Sequence, residues 1–326
     1  MAEWRTLAAD DIRAILRSFG VGAYQTHRPI PVGTINTNVR VETGAETLFL
    51  RVNEGKSRDD VAREAAIVAH AAARGVPTPA PLRVSTGDPF LLWPHGDTTQ
   101  IISLFPWVPG RTLQRAEVTP AHAAAAGAAL AHLHRAGADF GDHRPGRYEP
   151  DEIDRRLARF NGLSRPELAG AIAILVPELE RLARERVADV PLGLIHGDLF
   201  IDNVLYADDG PLTALLDFEQ ASWGRLVYDL AVTTLAFGFG RDDFRPELTR
   251  ALLDAYSTVR PPTAAERAAF GAELRFAACR FAVTRITDVH LKQGPGAPPG
   301  KRFQRYLDRL AAVKSHLSAS DTLLAL

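Results

Sequence analysis

One short stretch restricts this chain more than any other. It begins Leu194-Ile195-His196-Gly197-Asp198-Leu199-Phe200-Ile201-Asp202-Asn203 and ends, after the turn Asp208-Asp209-Gly210-Pro211, with Leu215-Leu216-Asp217-Phe218. Turn-forming residues between two short apolar runs predict an antiparallel hairpin of 203–207 with 212–218. Such a hairpin carries Asp217 back beside the loop that holds Asp198 and Asn203. Phosphoryl transfer asks for little covalent chemistry from a protein: an in-line hydroxyl, a proton acceptor beside it and divalent metal on the phosphates. Asp198 is placed to accept the proton of an attacking hydroxyl, while Asn203 and Asp217 are placed to hold the metal. Taken singly, these residues equally well cap a turn, open a strand and close one. The combined pattern His-x-Asp-x-x-x-x-Asn followed by Asp-Phe has many parts and favours catalysis. His196 is expected to support the loop rather than act as the base. Asp229 is expected to anchor the loop from a following helix.

The surrounding patterns divide the chain near Pro106, where Pro106, Pro109 and Gly110 interrupt regular structure. Before that point, 9–19 has helical spacing of Ile12, Ile15, Leu16 and Phe19, with Gly20 as its stop. Segments 30–42 and 47–53 predict two antiparallel strands joined at Thr43-Gly44-Ala45. Ser57 and Asp60 form a capping box ahead of a helix over 58–74, and further strands are expected near 82–85, 90–93 and 100–105. Beyond Pro106 the periodicity is mostly helical, starting with a helix over 120–136 that has Thr119 as cap, Pro120 at its first position and Gly137 at its end. The hairpin supplies the only strand candidates there. The Gly/Pro-rich stretch 293–300 predicts a loop between two C-terminal helices. The expectation is therefore an α+β chain, 1–106 forming a small antiparallel-sheet unit that binds nucleotide and 107–326 a helical unit with the catalytic loop and substrate site.

In the first unit, Gly33-Thr34-Ile35-Asn36-Thr37-Asn38 offers backbone N–H groups and polar side chains to phosphate oxygens, although an ordinary polar turn has the same composition. Arg51, in Leu48-Phe49-Leu50-Arg51-Val52, stands where kinases place a phosphate-binding lysine, and Glu64 on the next helix is a candidate to pair with it. Arginine is not a drop-in replacement for the ammonium point charge, and a cation on the wet face of an alternating strand is the rival reading. Gly33, Thr34, Asn36, Asn38, Arg51 and Glu64 are thus the nucleotide candidates.

At this point the chain resembles the aminoglycoside phosphotransferase superfamily, and within it the homoserine kinase branch, over nearly its whole length. The superfamily pattern is met by His196-Gly197-Asp198, Asn203 and Asp217-Phe218. The run Asp198-Leu199-Phe200-Ile201-Asp202-Asn203-Val204-Leu205 is similar to homoserine kinases in particular. The stretch 33–38 resembles that branch's phosphate loop, Tyr228-Asp229-Leu230-Ala231 its following helix, and Arg280-Phe281, Thr284-Arg285 and Asp288 its C-terminal helix. The resemblance implies a two-lobed, protein-kinase-like fold, ATP and Mg²⁺ as cofactors, and transfer to the hydroxyl of L-homoserine in the service of threonine synthesis. Choline, ethanolamine, hydroxylysine, aminosugar and aminoglycoside kinases share the same signature and stay open as alternatives, as does a nucleotide-binding pseudokinase. A protein kinase is disfavoured, because no glycine follows Asp217-Phe218 and no Ala-Pro-Glu closes an activation segment.

Homoserine carries a carboxylate and an ammonium besides its hydroxyl, so its site needs a cation, preferably arginine, and an acid. Arg280 and Arg285 on the C-terminal helix and Glu219 just past Asp217 are the substrate candidates, against the commoner role of helical arginines as solvated or salt-bridged side chains. Composition agrees with a small-molecule partner. In 326 residues, 38 Lys and Arg stand against 39 Asp and Glu, which leaves no single-sign field to gather nucleic acid or a membrane surface. The single cysteine, Cys279, excludes an internal disulfide and fits a buried helical position in a reducing compartment. The N-terminal stretch carries acids rather than the charges of a signal peptide, and no apolar run is long enough to span a bilayer, so a cytoplasmic location is expected. Oligomeric state is not legible.

Overall fold

A computed structural model describes residues 7–30, 36–96, 98–163, 165–186, 189–240, 243–293 and 302–319. The chain divides into two compact units, Met1–Gly110 and Arg111–Leu326.

The first unit is an antiparallel sheet with one helix on each side of its sequence centre. Its strands are β1 (Tyr24–Pro29), β2 (Thr37–Thr43), β3 (Thr47–Val52), β4 (Leu91–His95) and β5 (Thr98–Pro106), in the order β1-β2-β3-β5-β4. The reason the sheet has a dry face is strict alternation: β2 and β3 bury every second residue, among them Val39, Val41, Leu48, Leu50 and Val52. The helix α1 (Ala9–Phe19) closes that face with Ile12, Ile15, Leu16 and Phe19 and stops at Gly20, whose φ of 65° is the left-handed conformation of a C-terminal cap. The other helix, α2 (Arg58–Ala73), starts from Ser57, whose hydroxyl accepts the Asp60 N–H at 3.1 Å. Pro94 is tolerated in β4 because that strand lies at the sheet edge.

Two sequence expectations need correction here. Of the strand expected over 30–42, the described residues form β2 from Thr37 onward, and an unforeseen strand, β1, precedes the segment and pairs with β2, Pro29 opposite Val39. The strand expected at 82–85 does not form. Leu82 N–H donates to Leu104 O at 2.7 Å and the chain then turns at Ser85 and Thr86, so a single contact replaces a ladder.

The second unit is mainly helical: α3 (Pro120–Ala136), α4 (Pro150–Asn161), α5 (Ala169–Glu185), α6 (Leu226–Phe237), α7 (Pro246–Val259) and α8 (Ala264–Arg285). The last runs on through a π-helical turn, Ile286–His290, into α9 (Leu291–Gln293), and α10 (Gln304–Ala319) follows. Nearly every residue of α6 is buried, which makes it the central post of the unit. Cys279 lies inside α8, fully buried, and burial pushes its thiol well above the ordinary range. The expected hairpin forms as β7 (Val204–Tyr206) with β8 (Leu212–Leu215). Contrary to expectation, it is not the only strand pair: β6 (Leu192–Ile195) and β9 (Ser222–Arg225) form a second, lying immediately before and after the loop segment. Four-residue strands whose glycines meet opposite each other, Gly193 to Gly224, give almost no alternation signal. Of the loop expected at 293–300, Gln293 ends α9 and the remainder lies outside the described residues. No described helix is long and apolar enough to cross a membrane.

Candidate active site

The loop between β6 and β7 is held from three directions. From α6, the Asp229 carboxylate accepts the His196 N–H at 2.7 Å and the Gly197 N–H at 2.8 Å. His134, on α3, donates from Nε2 to the same carboxylate at 3.0 Å, and its Nδ1 shares a 2.7 Å hydrogen bond with the Tyr256 hydroxyl. Burial by itself would raise the Asp229 carboxyl, but His134, His196 and the backbone N–H hold it below the usual range. Asp229 holds the role expected of it, and His134 joins it unforeseen. Its only sequence signal is a histidine on the apolar face of an alanine-rich helix.

From the hairpin, Leu216 acts as the junction. Its N–H donates to Asn203 O at 2.9 Å, and its carbonyl accepts His196 Nε2 at the same distance. His196 is fully buried, its ring 4.7 Å from that of Phe218, and burial depresses its pKa, so it is a neutral support. Because Leu216 precedes Asp217 and bonds both Asn203 and His196, the three predicted residues are brought to one place. Within the loop, the Asn203 side-chain N–H donates to Asp198 O at 2.8 Å. That use of the amide nitrogen leaves the amide oxygen for a hard cation. Asp217 has φ 63° and ψ 66°, the only non-glycine positive φ among the described residues. A strained backbone at a candidate metal ligand is where such conformations concentrate.

From α8, Arg280 approaches Asp198, Nη1 to Oδ1 at 3.6 Å. Arg280 is 3% exposed, and its guanidinium lies between two rings, 4.0 Å from the Tyr148 centroid and 3.8 Å from that of Phe281. Phe281 in turn meets Phe200 of the loop edge-on at 5.0 Å. Although 32% of the Asp198 side chain remains open to solvent, dense protein around it raises its carboxyl above the ordinary range, against the pull of Arg280, His196 and Arg285. Arg285 acts on Asp198 only through its charge, and its Nε is buried without a hydrogen-bond partner. Asp288, one helical turn on, receives Arg156 Nη1 at 2.8 Å. Glu219 lies in the short 3₁₀ turn Phe218–Gln220 directly after Asp217. Tyr148 and Arg156 have no signal in the sequence, since α4 and the turn just before it approach α8 only in the tertiary structure.

In the first unit, Arg51 and Glu64 form an ion pair at 2.9 Å, each less than one-sixth exposed. Lys56, which carries no signal of this role in the sequence, joins Glu64 at 2.9 Å on its other oxygen. Burial would raise the Glu64 carboxyl, yet Arg51 and Lys56 together hold it below the usual range. Asn38 is the cross-strand partner of Arg51, and Asn36 accepts the Glu54 N–H at 3.2 Å. Gly33 and Thr34 lie outside the described residues.

Residues 26–270 match the model of the phosphotransferase enzyme family that includes the aminoglycoside phosphotransferases. The chain belongs to that family. It is a small-molecule kinase, a phosphotransferase acting on a hydroxyl group. Among its relatives, a homoserine kinase of Xanthobacter autotrophicus is 31% identical over 98% of both chains. One of Rhodopseudomonas palustris is 34% identical over 89% of this chain and 87% of its own. In fold this phosphotransferase is similar to a microcompartment-associated aminopropanol kinase, with a TM-score of 0.73 and 19% identity over 97% of this chain and 99% of that one. It is also similar to a spectinomycin phosphotransferase solved with ADP and spectinomycin, with a TM-score of 0.69 and 13% identity over 98% and 97%. The α+β, kinase-like fold expected for this phosphotransferase is therefore the one found.

Proposed function

We propose that the chain transfers the γ-phosphate of ATP to the hydroxyl of L-homoserine. The observation that carries the reading is Arg280, buried and 3.6 Å from Asp198. A guanidinium beside the proton acceptor favours an alcohol that bears a carboxylate and repels cationic acceptors such as choline or an aminoglycoside. The homoserine kinases that match nearly the full length support the same choice.

On this reading Asp198 orients the acceptor hydroxyl and takes its proton as the hydroxyl oxygen bonds to phosphorus and ADP departs. Arg280 and Arg285 hold the substrate carboxylate, and Glu219 faces its ammonium. Asn203, through its amide oxygen, and Asp217 would hold Mg²⁺, which neutralises charge on the phosphate oxygens when bound. Their oxygens suit a hard cation. Arg51, positioned by Glu64, contacts the phosphates in the place of the usual lysine, with Gly33, Thr34, Asn36 and Asn38 as the phosphate loop.

The test is ADP release from Mg-ATP against L-homoserine, L-serine, choline, ethanolamine, hydroxylysine and an aminoglycoside. L-Homoserine should saturate the enzyme, and Asp198→Asn should cut turnover by about 10²- to 10⁴-fold while retaining ATP binding. Saturation by an acceptor lacking a carboxylate would overturn the assignment.

A further inference from the structure

A second basic cluster lies in the second unit, on residues that play no part in the reading above. Three arginines gather at the C-terminal end of α6. Arg115 Nη1 donates to Ala236 O and Phe239 O, both at 2.7 Å, and Arg309 Nη1 donates to Leu235 O at 2.7 Å. Arg305 lies one turn before Arg309 on the same face of α10. Arg309 is 3% exposed, with its guanidinium 5.1 Å from the Phe239 ring centroid and 5.3 Å from that of Tyr306.

What is missing among the described residues is a counter-charge. No described acid forms an ion pair with any of the three, and Arg309 Nη2 and Arg305 Nε are buried with no hydrogen-bond partner. Buried charges are ordinarily paired, and unpaired donors in a dry setting are costly. The carbonyl end of α6 supplies about half a negative charge, and Asp202 exerts only a weak pull on Arg115. Roughly two and a half positive charges remain uncompensated among the described residues. Their mutual repulsion is felt: burial and the neighbouring cations push Arg115 down to about 10 and Arg309 down to about 9.

We propose that Arg115, Arg305 and Arg309 form a binding site for a phosphate dianion, apart from the phosphoryl-transfer residues. Guanidinium forks match the oxygens of phosphate, and a dianion balances the surplus where a single carboxylate would leave part of it. The same dianion is available from inorganic phosphate or from a phosphomonoester. Asp202, the acid that Arg115 senses, adjoins Asn203, so occupancy alters the charge balance one residue from a candidate metal ligand.

Calorimetric titration of the nucleotide-free chain at low ionic strength, with inorganic phosphate in one arm and glycerol phosphate in the other, tests this. Saturable one-to-one binding is expected, weakened at least tenfold in Arg305→Ala and unchanged in Asp217→Asn. Equal affinities identify the free dianion as what is recognised, and a preference for glycerol phosphate identifies a monoester. Arg305 is only half-buried, and Arg305→Gln replaces the alanine variant should that fail to fold. Absence of saturable binding in both arms overturns the proposal, as does binding that survives loss of Arg305 or disappears with Asp217.

Discussion

Asp198 is caught between two opposing influences, and both are read from its neighbours. Surrounding protein raises its carboxyl above the ordinary range, while the Arg280 guanidinium 3.6 Å away pulls it down. A proton acceptor must be ionised to work, so activity should fall on acidification as Asp198 protonates, above the pH at which an ordinary aspartate does. Replacing Arg280 with glutamine removes the favourable charge and allows the carboxyl to rise further. The acid limb of the kcat/KM profile in Arg280→Gln should accordingly move to higher pH, whatever happens to its height. A limb that stays in place would show that the two groups do not communicate. The legibility of these residues was uneven. Asp198, Asn203 and Asp217 stood out because their spacing is a multi-part pattern. His134, Lys56 and Tyr148 did not, because each acts on a partner 8 to 132 positions away, His134 on Asp229, Lys56 on Glu64 and Tyr148 on Arg280, with no pattern of its own.

Among the elements, α3 and α7 approach each other tightly at a glycine. A Cβ added to Gly127 would stand 2.2 Å from Leu252 O, inside any tolerable separation, and the obstacle is backbone rather than a side chain that can swing aside. Gly127→Ala should therefore destabilise the chain by about 1–3 kcal/mol despite alanine's better helix propensity. The midpoint of urea unfolding reports it, and a midpoint at or above that of the parent would show that the helices separate freely. The same α3 carries His134 toward Asp229, so separation of the helices should also loosen the catalytic loop. Helices were the most legible elements, since α1, α2 and α3 announce themselves by apolar spacing, caps and stops. Strands were less so. The short pair β6 and β9 is specified by pairing of residues 27 to 33 positions apart rather than by alternation within either strand.

For the molecule as a whole, any ligand that binds the folded chain and not the unfolded one raises its stability by mass action. On the proposed reading Mg-ATP at a hundredfold excess over its Kd contributes about 2.7 kcal/mol. Arg51→Ala removes one phosphate contact and leaves Glu64 with Lys56 alone, so the rise in melting temperature caused by Mg-ATP should shrink, and KM for ATP should increase. An undiminished rise in the variant would remove Arg51 from the nucleotide site. The basal melting temperature must be compared alongside, because Glu64 is mostly shielded from solvent and loses one of its two cations in the same variant.

What the amino-acid order determined unaided was local: helices with their caps, the tight hairpin after Asn203, and a spacing of oxygen-bearing side chains that suits phosphoryl transfer. Those features arise from interactions within a few residues, which periodicity and turn chemistry record directly. The tertiary structure alone decided which groups from afar complete them: His134 joining the expected Asp229 beneath the loop, Arg280 lodged between Tyr148 and Phe281 beside Asp198, and three arginines crowded at the end of α6. Contacts of that kind depend on how separate elements pack, and packing distances are written in no single stretch of the chain.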